Sequence, residues 1–429
     1  MAAPREFQRE AIELHARNLT LGNASGRLSS LEASVAGFGK TFVAAFVSKM
    51  IGHPMAVLCP KAVIPHWQKA AEEVGAQVRF VTNYEQVKLA KFSHGGWKVK
   101  NRQYRWAVEK PTMLVFDESH RCNERTTQNA KLMVGAAQQG IPSLSMSATA
   151  AQSPLDLYSL GYSLGIHNGA DFLGWATQHG VYRGSFSWDF DGNPAALKKM
   201  NAALFPGHGH RKSFEDIPGF PETQITMYPV SDDSAARKIE KLWQEVGVLE
   251  TLQEEALEAV TVRLRARQIA ELSKIPALAE LVQESVLAGN SAVVFLNFKE
   301  SIRQLESMLK IPSATIEGNQ SAGKRQAWID GFQMDIINVL ICQTQAGGVG
   351  ISLHDTHGNR PRVSYLSPPD SARDLVQALG RIRREGAKTP SVQHILYLKG
   401  SVEEKVRKAV ERKVHNISLL NDGDLDPLF

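Results

Sequence analysis

The chain has 429 residues, 43% of them hydrophobic and 22% charged, which excludes a mainly disordered chain and leaves room for two or three domains. Lysine and arginine number 49 against 44 acidic residues, and this formal surplus of +5 permits a polyanionic partner without demanding one. Three cysteines, Cys59, Cys122 and Cys342, stand far apart with no CxxC pair, which argues against a disulfide framework or a thiolate zinc site and fits a reducing compartment. No stretch approaches the roughly 18 apolar residues of a membrane span, and the start MAAPREFQRE lacks a signal-peptide core. A cytoplasmic protein is expected.

In chain order, SSLEASV (29 to 35) reads as a strand, followed by Gly37-Phe38-Gly39-Lys40-Thr41 and the apolar helical run FVAAFVSKM. Glycines there let backbone N–H groups approach phosphate oxygens, Lys40 neutralises phosphate charge, and the Thr41 hydroxyl can ligate magnesium. Ser34 stands where the strict Walker A pattern has its first glycine. The short apolar runs MAVLC (55 to 59), MLVFD (113 to 117) and SLSMS (143 to 147) alternate with helical periodicity, which predicts a parallel sheet. Asp117-Glu118 closes the second of these runs. An aspartate at a strand end can hold magnesium and an adjacent glutamate can orient or deprotonate water, so nucleotide hydrolysis is coherent.

Residues 166 to 222 read as irregular, and 232 to 272 as charged and helical, with Ile239, Leu242, Trp243, Val246 and Leu249 at helical spacing. The α/β texture then returns in SAVVFLNF (291 to 298), INVLICQT (337 to 344) and VQHILYL (392 to 398). Two α/β units are predicted. Val402, Val406, Val410 and Val414 form a narrow stripe on a basic C-terminal helix, read as bracing the second unit or, alternatively, as binding a partner.

Charge concentrates in two places. Residues 360 to 413 hold 13 basic and 6 acidic residues, and residues 88 to 110 hold 7 basic residues against Glu109 alone. The second segment, with Trp97, Tyr104 and Trp106 interleaved, alternates like a hairpin; it is either a solvated surface hairpin or one that contacts DNA by stacking and phosphate pairing. His208 and His210 have no neighbouring ligand set, so they read as a loop pair rather than a metal site.

Taken in order, the motifs resemble those of superfamily 2 helicases and translocases. Asp117-Glu118-Ser119-His120 resembles the DEAH-type motif II, Gln8 in REFQREAI the adenine-reading glutamine, and VLCPKAVIPHW (57 to 67) motif Ia. TNYEQV (82 to 87) resembles a Ib segment, Ser147-Ala148-Thr149 motif III, and AVVFLNFKESIRQL (292 to 305) motif IV. QTQAGGVGISL (343 to 353) resembles motif V, and the run from Gln377 to Arg384 the QxxGRxxR motif VI. Motif V and the stretch IEGNQSAGKRQAWIDGFQ (316 to 333) are similar to Swi/Snf-type ATPases, and WDFDGNPAALKKMNAAL with HRKSFEDIPGFPE to the annealing-helicase (HARP-like) branch.

The resemblance implies an α/β fold of two tandem RecA-like lobes. Lobe 1 would span residues 1–230, with the irregular insertion at about 166–222, then a helical connector at 231–275 and lobe 2 at 276–429. It implies an ATP hydrolase using ATP and Mg2+, with Lys40, Asp117, Glu118, Gln377, Arg381 and Arg384 catalytic. Gln8, Ala36, Gly37, Phe38, Gly39, Lys40, Thr41 and Gly350 would bind nucleotide, and Thr41 and Asp117 the metal. Ser147 and Thr149 would couple the sites, and Lys61, Thr344, Gln345 and Gly347 would hold nucleic-acid phosphates. Arg381 and Arg384, at i and i+3, share one face if the segment is helical; Arg384 is the expected transition-state finger and Arg381 the second clamp. The expected function is a monomeric ATP-dependent helicase or translocase on duplex or forked DNA, of bacterial or phage origin. RNA helicase activity, or ATP-switched strand annealing, stands as the alternative.

Overall fold

A computed structural model of the chain describes residues 2–89, 92–98, 103–184, 187–214, 216–251, 256–318, 320–344, 351–369 and 371–422. The described residues divide into two compact units, one formed by those up to Pro218 together with Val414–Asp422, the other by Gly219–Lys413.

The first unit is built on a six-stranded parallel sheet. Its strands are β1 (Ser29–Glu32), β2 (Met55–Cys59), β3 (Val78–Asn83), β6 (Met113–Asp117), β7 (Ser143–Met146) and β10 (Gly209–His210), in the order β10-β1-β7-β6-β2-β3. Two antiparallel hairpins lie outside it, β4 (Gly95–Lys98) with β5 (Gln103–Trp106), and β8 (Val181–Arg183) with β9 (Trp188–Phe190). The runs MAVLC and SLSM are buried along their whole length, as expected of strands covered on both faces. Helix α1 (Arg9–Leu21) packs beside β1 and helix α2 (Lys40–Ile51) beside α1, and α2 buries Val43 through Ser48. Because every strand is parallel, the ends of β1, β6 and β7 point the same way and gather polar residues on one rim.

The second unit has its own six-stranded parallel sheet, ordered β11-β16-β15-β12-β14-β13. These are β11 (Thr223–Val230), β12 (Ser291–Leu296), β13 (Ser313–Ile316), β14 (Val339–Gln343), β15 (Arg362–Leu366) and β16 (Ser391–Leu398). The expected boundary near residue 230 falls instead at Pro218, because β11 pairs along its length with β16. Nor do residues 231–275 stand apart as a connector. The helices Asp233–Thr251 and Ala256–Leu287 bury Ala235, Ile239, Ala266 and Ala270 against Leu398, while Ile275, Leu278 and Val282 cover β12 and β15. An apolar stripe of this width must be buried somewhere, and the nearest uncovered sheet supplies the partner. The side chains of Trp243, Val246 and Leu249 lie outside the described ones.

The last helix, Val402–Asp422, starts on the second unit, where buried Glu403 pairs with Lys274 at 2.7 Å. Its residues from Val414 belong to the first unit, where Leu420 joins the core and Asp422 pairs with Arg211 at 2.6 Å. The side chains of Val402, Val406 and Val410 lie outside the described ones. No helix among the described residues is long and apolar enough to cross a membrane.

Candidate nucleotide site

The rim of the first unit is assembled by three strand ends. After β1 the chain turns through Ala36, Gly37, buried Phe38 and Gly39 into α2, which begins at Lys40 with Thr41 half-buried in its first turn. Gly37 and Gly39 have φ of 90° and 85°, and a Cβ at Gly39 would lie 2.5 Å from Gln8 Nε2. Backbone conformation and Gln8 together therefore require glycine there. Gln8 is itself buried and its Nε2–H donates to the Phe38 carbonyl at 3.0 Å, so in this form it ties down the loop. Lys40 folds back, its ammonium donating to the carbonyls of Ser34 (2.7 Å) and Val35 (3.0 Å). Burial lowers its pKa to about 8, against the pull of Glu32, Glu118 and Asp117.

Asp117 ends β6 and accepts hydrogen bonds from Trp67 Nε1–H (2.9 Å) and the Glu118 N–H (3.0 Å). Burial first, and the like charge of Glu118 second, raise its pKa. Glu118 has φ 51° and ψ 50°, a left-handed conformation that a non-glycine residue adopts at some energetic cost and that turns its side chain out of the strand direction. His120 Nδ1 lies 3.3 Å from Glu118 Oε2 and 3.0 Å from Ser147 Oγ, so it links the end of β6 to the segment after β7. Ser147 Oγ also accepts from the Thr149 N–H at 3.2 Å, and both residues are buried. A hydroxyl at Thr41 and a carboxylate at Asp117 are hard oxygen donors of the kind Mg2+ takes while keeping waters and phosphate oxygens. Of the expected loop pair, His208 bonds Ser25 Oγ and the Ala203 carbonyl, but His210 is not a loop residue: it lies in β10, buried beside Glu32 at 3.2 Å.

In the second unit the helix Ala372–Leu379 carries half-buried Gln377 and stops at Gly380. Arg381 and Arg384 thus lie in the following turn and do not share a helix face with Gln377. Arg381 is buried and donates to the Ile351 carbonyl at 3.3 Å. Arg384 is half-buried and donates to the Gly380 carbonyl (3.1 Å) and to Ser352 Oγ (2.9 Å). Thr344 is buried with its hydroxyl donated to the Leu296 carbonyl at 3.1 Å, which turns it away from an external phosphate. Gln345, Gly347 and Gly350 lie outside the described residues.

The helicase conserved C-terminal domain matches residues 273–386, within the second unit. Over 433 aligned residues the chain is 33% identical to a protein of Acanthamoeba polyphaga mimivirus named as an ATP-dependent RNA helicase, covering 92% of this chain and 80% of that one. The chain belongs to the superfamily 2 helicases. Shorter stretches of the helicase are similar to the chromatin remodeling factor mit1 of Schizosaccharomyces pombe (29% identity, 35% of this chain, 11% of that one). Others match a RAD54-like DNA repair and recombination protein of Drosophila pseudoobscura (28%, 30% and 17%). Among solved structures, S. cerevisiae Dbp5 bound to RNA and ADP BeF3 superposes with a TM-score of 0.53 over 96% of this chain and 88% of that one. Its 13% identity supports the shared two-lobe fold alone.

The basic-aromatic segment of the helicase does form a hairpin, with Trp97 opposite Tyr104. Its aromatics do not face outward. Tyr104 and Trp106 are 2% and 3% exposed in the core of the first unit, with the Trp106 indole N–H on the Leu132 carbonyl at 2.9 Å and half-buried Trp97 packed beside them. Alternation placed one side of the hairpin inward, and burying three large rings outweighs any use of them for stacking bases. Lys98 and Arg105 remain exposed on the other side, and Lys61 is exposed in the turn after β2. Trp67, His120 and Ser352 fall inside motifs Ia, II and V, but their contacts with Asp117, Ser147 and Arg384 were not legible, because those partners are distant in sequence.

Proposed function

We propose that the helicase is a nucleic-acid-stimulated ATPase that moves on or remodels duplex or forked DNA. The observation that carries this reading is the single rim where Lys40, Asp117, Glu118 and Ser147 meet, with His120 between Glu118 and Ser147. Lys40 takes the β and γ phosphates once they displace it from the Ser34 and Val35 carbonyls. Thr41 and Asp117 would hold Mg2+, whose charge would offset that of the phosphates. Glu118 orients and deprotonates the attacking water. His120 and Ser147 pass the state of that carboxylate to the segment behind Thr149. Arg384, with Arg381 as second clamp and Gln377 on the helix before them, would offset the negative charge that develops on the phosphoryl oxygens in the transition state. Exposed Lys61 contacts phosphates without reading bases.

A second reading, RNA as the track, is favoured by the naming of the 33%-identical mimivirus relative. ATP turnover measured with duplex DNA, forked DNA, single-stranded DNA and RNA decides between them. Strong stimulation by forked or duplex DNA is expected; stimulation by RNA alone overturns the DNA reading, and turnover indifferent to every polymer overturns both. In the same assay Arg384→Ala should bind ATP within a few-fold of wild type while losing about 10³-fold in kcat. A matching loss of binding would move Arg384 from catalysis to affinity.

A further inference from the structure

Below the phosphate loop the first unit buries a charged cluster that the nucleotide chemistry above does not use. Glu32, the last residue of β1, is fully buried and its carboxylate is shared three ways. His15 of α1 approaches Oε2 through Nε2 at 2.9 Å, His210 of β10 approaches the same oxygen through Nδ1 at 3.2 Å, and the Ser34 N–H donates to Oε1 at 2.8 Å. The far side of His15 is held as well, its Nδ1 meeting Ser30 Oγ at 2.7 Å, whereas His210 Nε2 faces Glu10 at 4.0 Å, beyond hydrogen-bond distance. His210 reaches this place because Gly209 lies so near β1 that a Cβ would stand 2.7 Å from the Leu31 carbonyl oxygen. Burial by itself would raise the Glu32 pKa, yet hydrogen bonds from His15 and then His210 overcome it and hold the group ionised.

The cluster grips the head of the phosphate loop peptide by peptide. The peptide joining Ala33 to Ser34 gives its N–H to Glu32 and its carbonyl to Arg211. The next peptide gives its N–H (Val35) to the Lys212 carbonyl at 3.1 Å, and its carbonyl (Ser34) is the one that receives the Lys40 ammonium. Because each peptide is planar, pinning the first restricts the orientation of the second. The Glu32 carbonyl meanwhile accepts from the Ser147 N–H at 3.1 Å, so one residue touches the loop with its side chain and the segment after β7 with its backbone.

We propose that Glu32 is a positioning residue for nucleotide binding: its carboxylate oxygen fixes the peptide at the head of the phosphate loop and so sets the station from which Lys40 meets the phosphates. His15 and His210 hold that carboxylate in place. This rests on the reading of residues 34 to 41 as an ATP-binding loop. Its consequence is selective, since the bonds of the Glu32 side chain run to His15, His210 and the Ser34 N–H and none reaches the carboxylates of β6. Losing its oxygen should weaken ATP binding and leave the chemical step of bound ATP nearly intact.

The test is the KM for ATP and kcat of the full chain at saturating nucleic acid, with thermal melting alongside. Glu32→Ala should raise KM about tenfold or more with kcat within about threefold, and Glu32→Gln, which keeps an oxygen for the Ser34 N–H, should return KM to within about threefold of wild type. If Glu32→Ala does not fold, the triple replacement of Glu32, His15 and His210 by leucine removes the polar cluster together, which is tolerated far better than orphaning its members. The same rise in KM is expected from it. A lowered melting temperature with KM unchanged would show a merely structural carboxylate, and equal KM in the Ala and Gln variants would show that the oxygen is not what matters; either result overturns the assignment. Lys40→Ala run in parallel separates the two levels. Turnover that survives Lys40→Ala defeats the loop reading itself, whereas lost turnover there with unmoved KM in the Glu32 variants defeats this inference alone.

Discussion

The phosphate loop and the hairpin β4–β5 sit in the same unit, and by residue type both look suited to face a ligand. One carries glycines and a lysine, the other aromatics among basic residues. Their fates differ. The loop keeps Lys40, Thr41 and its glycine backbone at the strand-end rim, while the hairpin turns Tyr104 and Trp106 into the core and leaves Lys98 and Arg105 outside. Residue type states what a segment could contact; packing decides which of its faces is available to do so. Loop substitutions should therefore damage activity with little effect on the fold, and hairpin substitutions the reverse.

The largest expected effect lies on the loop side. Lys40→Ala should lower ATP turnover by about 10²- to 10³-fold, and Glu118→Gln by about 10²- to 10⁴-fold, with melting temperatures close to wild type. A large drop in melting temperature for either would erase the contrast. On the hairpin side, Trp106→Ala should cost ~3–5 kcal/mol in denaturant unfolding, with ATP turnover per folded molecule little changed. Lost turnover in fully folded Trp106→Ala would return that ring to the site.

A pH profile sharpens the loop side further. Burial lowers the Lys40 pKa to about 8, so the ammonium is present below that pH and lost above it. Asp117 is shifted upward, so its carboxylate is lost sooner on acidification than an ordinary aspartate would be. The ratio kcat/KM for ATP should fall as pH rises through about 8 and fall again on the acid side, a narrowed bell. Lys40→Arg, which stays charged, should flatten the alkaline limb whatever its absolute rate. The smallest effect belongs to the exposed side of the hairpin: Lys98→Ala with Arg105→Ala should weaken nucleic-acid binding by about two- to fivefold in a salt-dependent manner. No change at all would make that face plain solvated surface.

Much of this was legible from local pattern. The runs 55 to 59, 113 to 117 and 143 to 147 are strands because short apolar segments between helical stretches have few other ways to be buried. The glycines at 37 and 39 stand out because a glycine-rich turn before a lysine suits phosphate, and the carboxylates at 117 and 118 because a strand-end acidic pair suits a metal ion and a water. Less legible were features set by contact across the chain. Arg381 and Arg384 would share one face if their segment were helical, but the helix stops at Gly380, and the carbonyl of Ile351 and the hydroxyl of Ser352 hold the two side chains instead. The boundary near 230 missed because β11 finds its partner 168 residues later, Thr223 beside Ser391.

By itself, then, the amino-acid sequence determined the class of the protein: two parallel α/β units, a phosphate loop, a strand-end carboxylate pair and the motif order of a superfamily 2 helicase. These are local properties, encoded within a few residues of one another by periodicity, backbone freedom and side-chain chemistry. Only the tertiary structure decided that Glu32 lies between two histidines under the loop, that Trp67 and His120 complete the carboxylate rim, and that the hairpin aromatics serve the core. Each depends on residues far apart in the chain coming within 3 to 4 Å, and burial of that kind is a property of the packed whole that no short segment can specify.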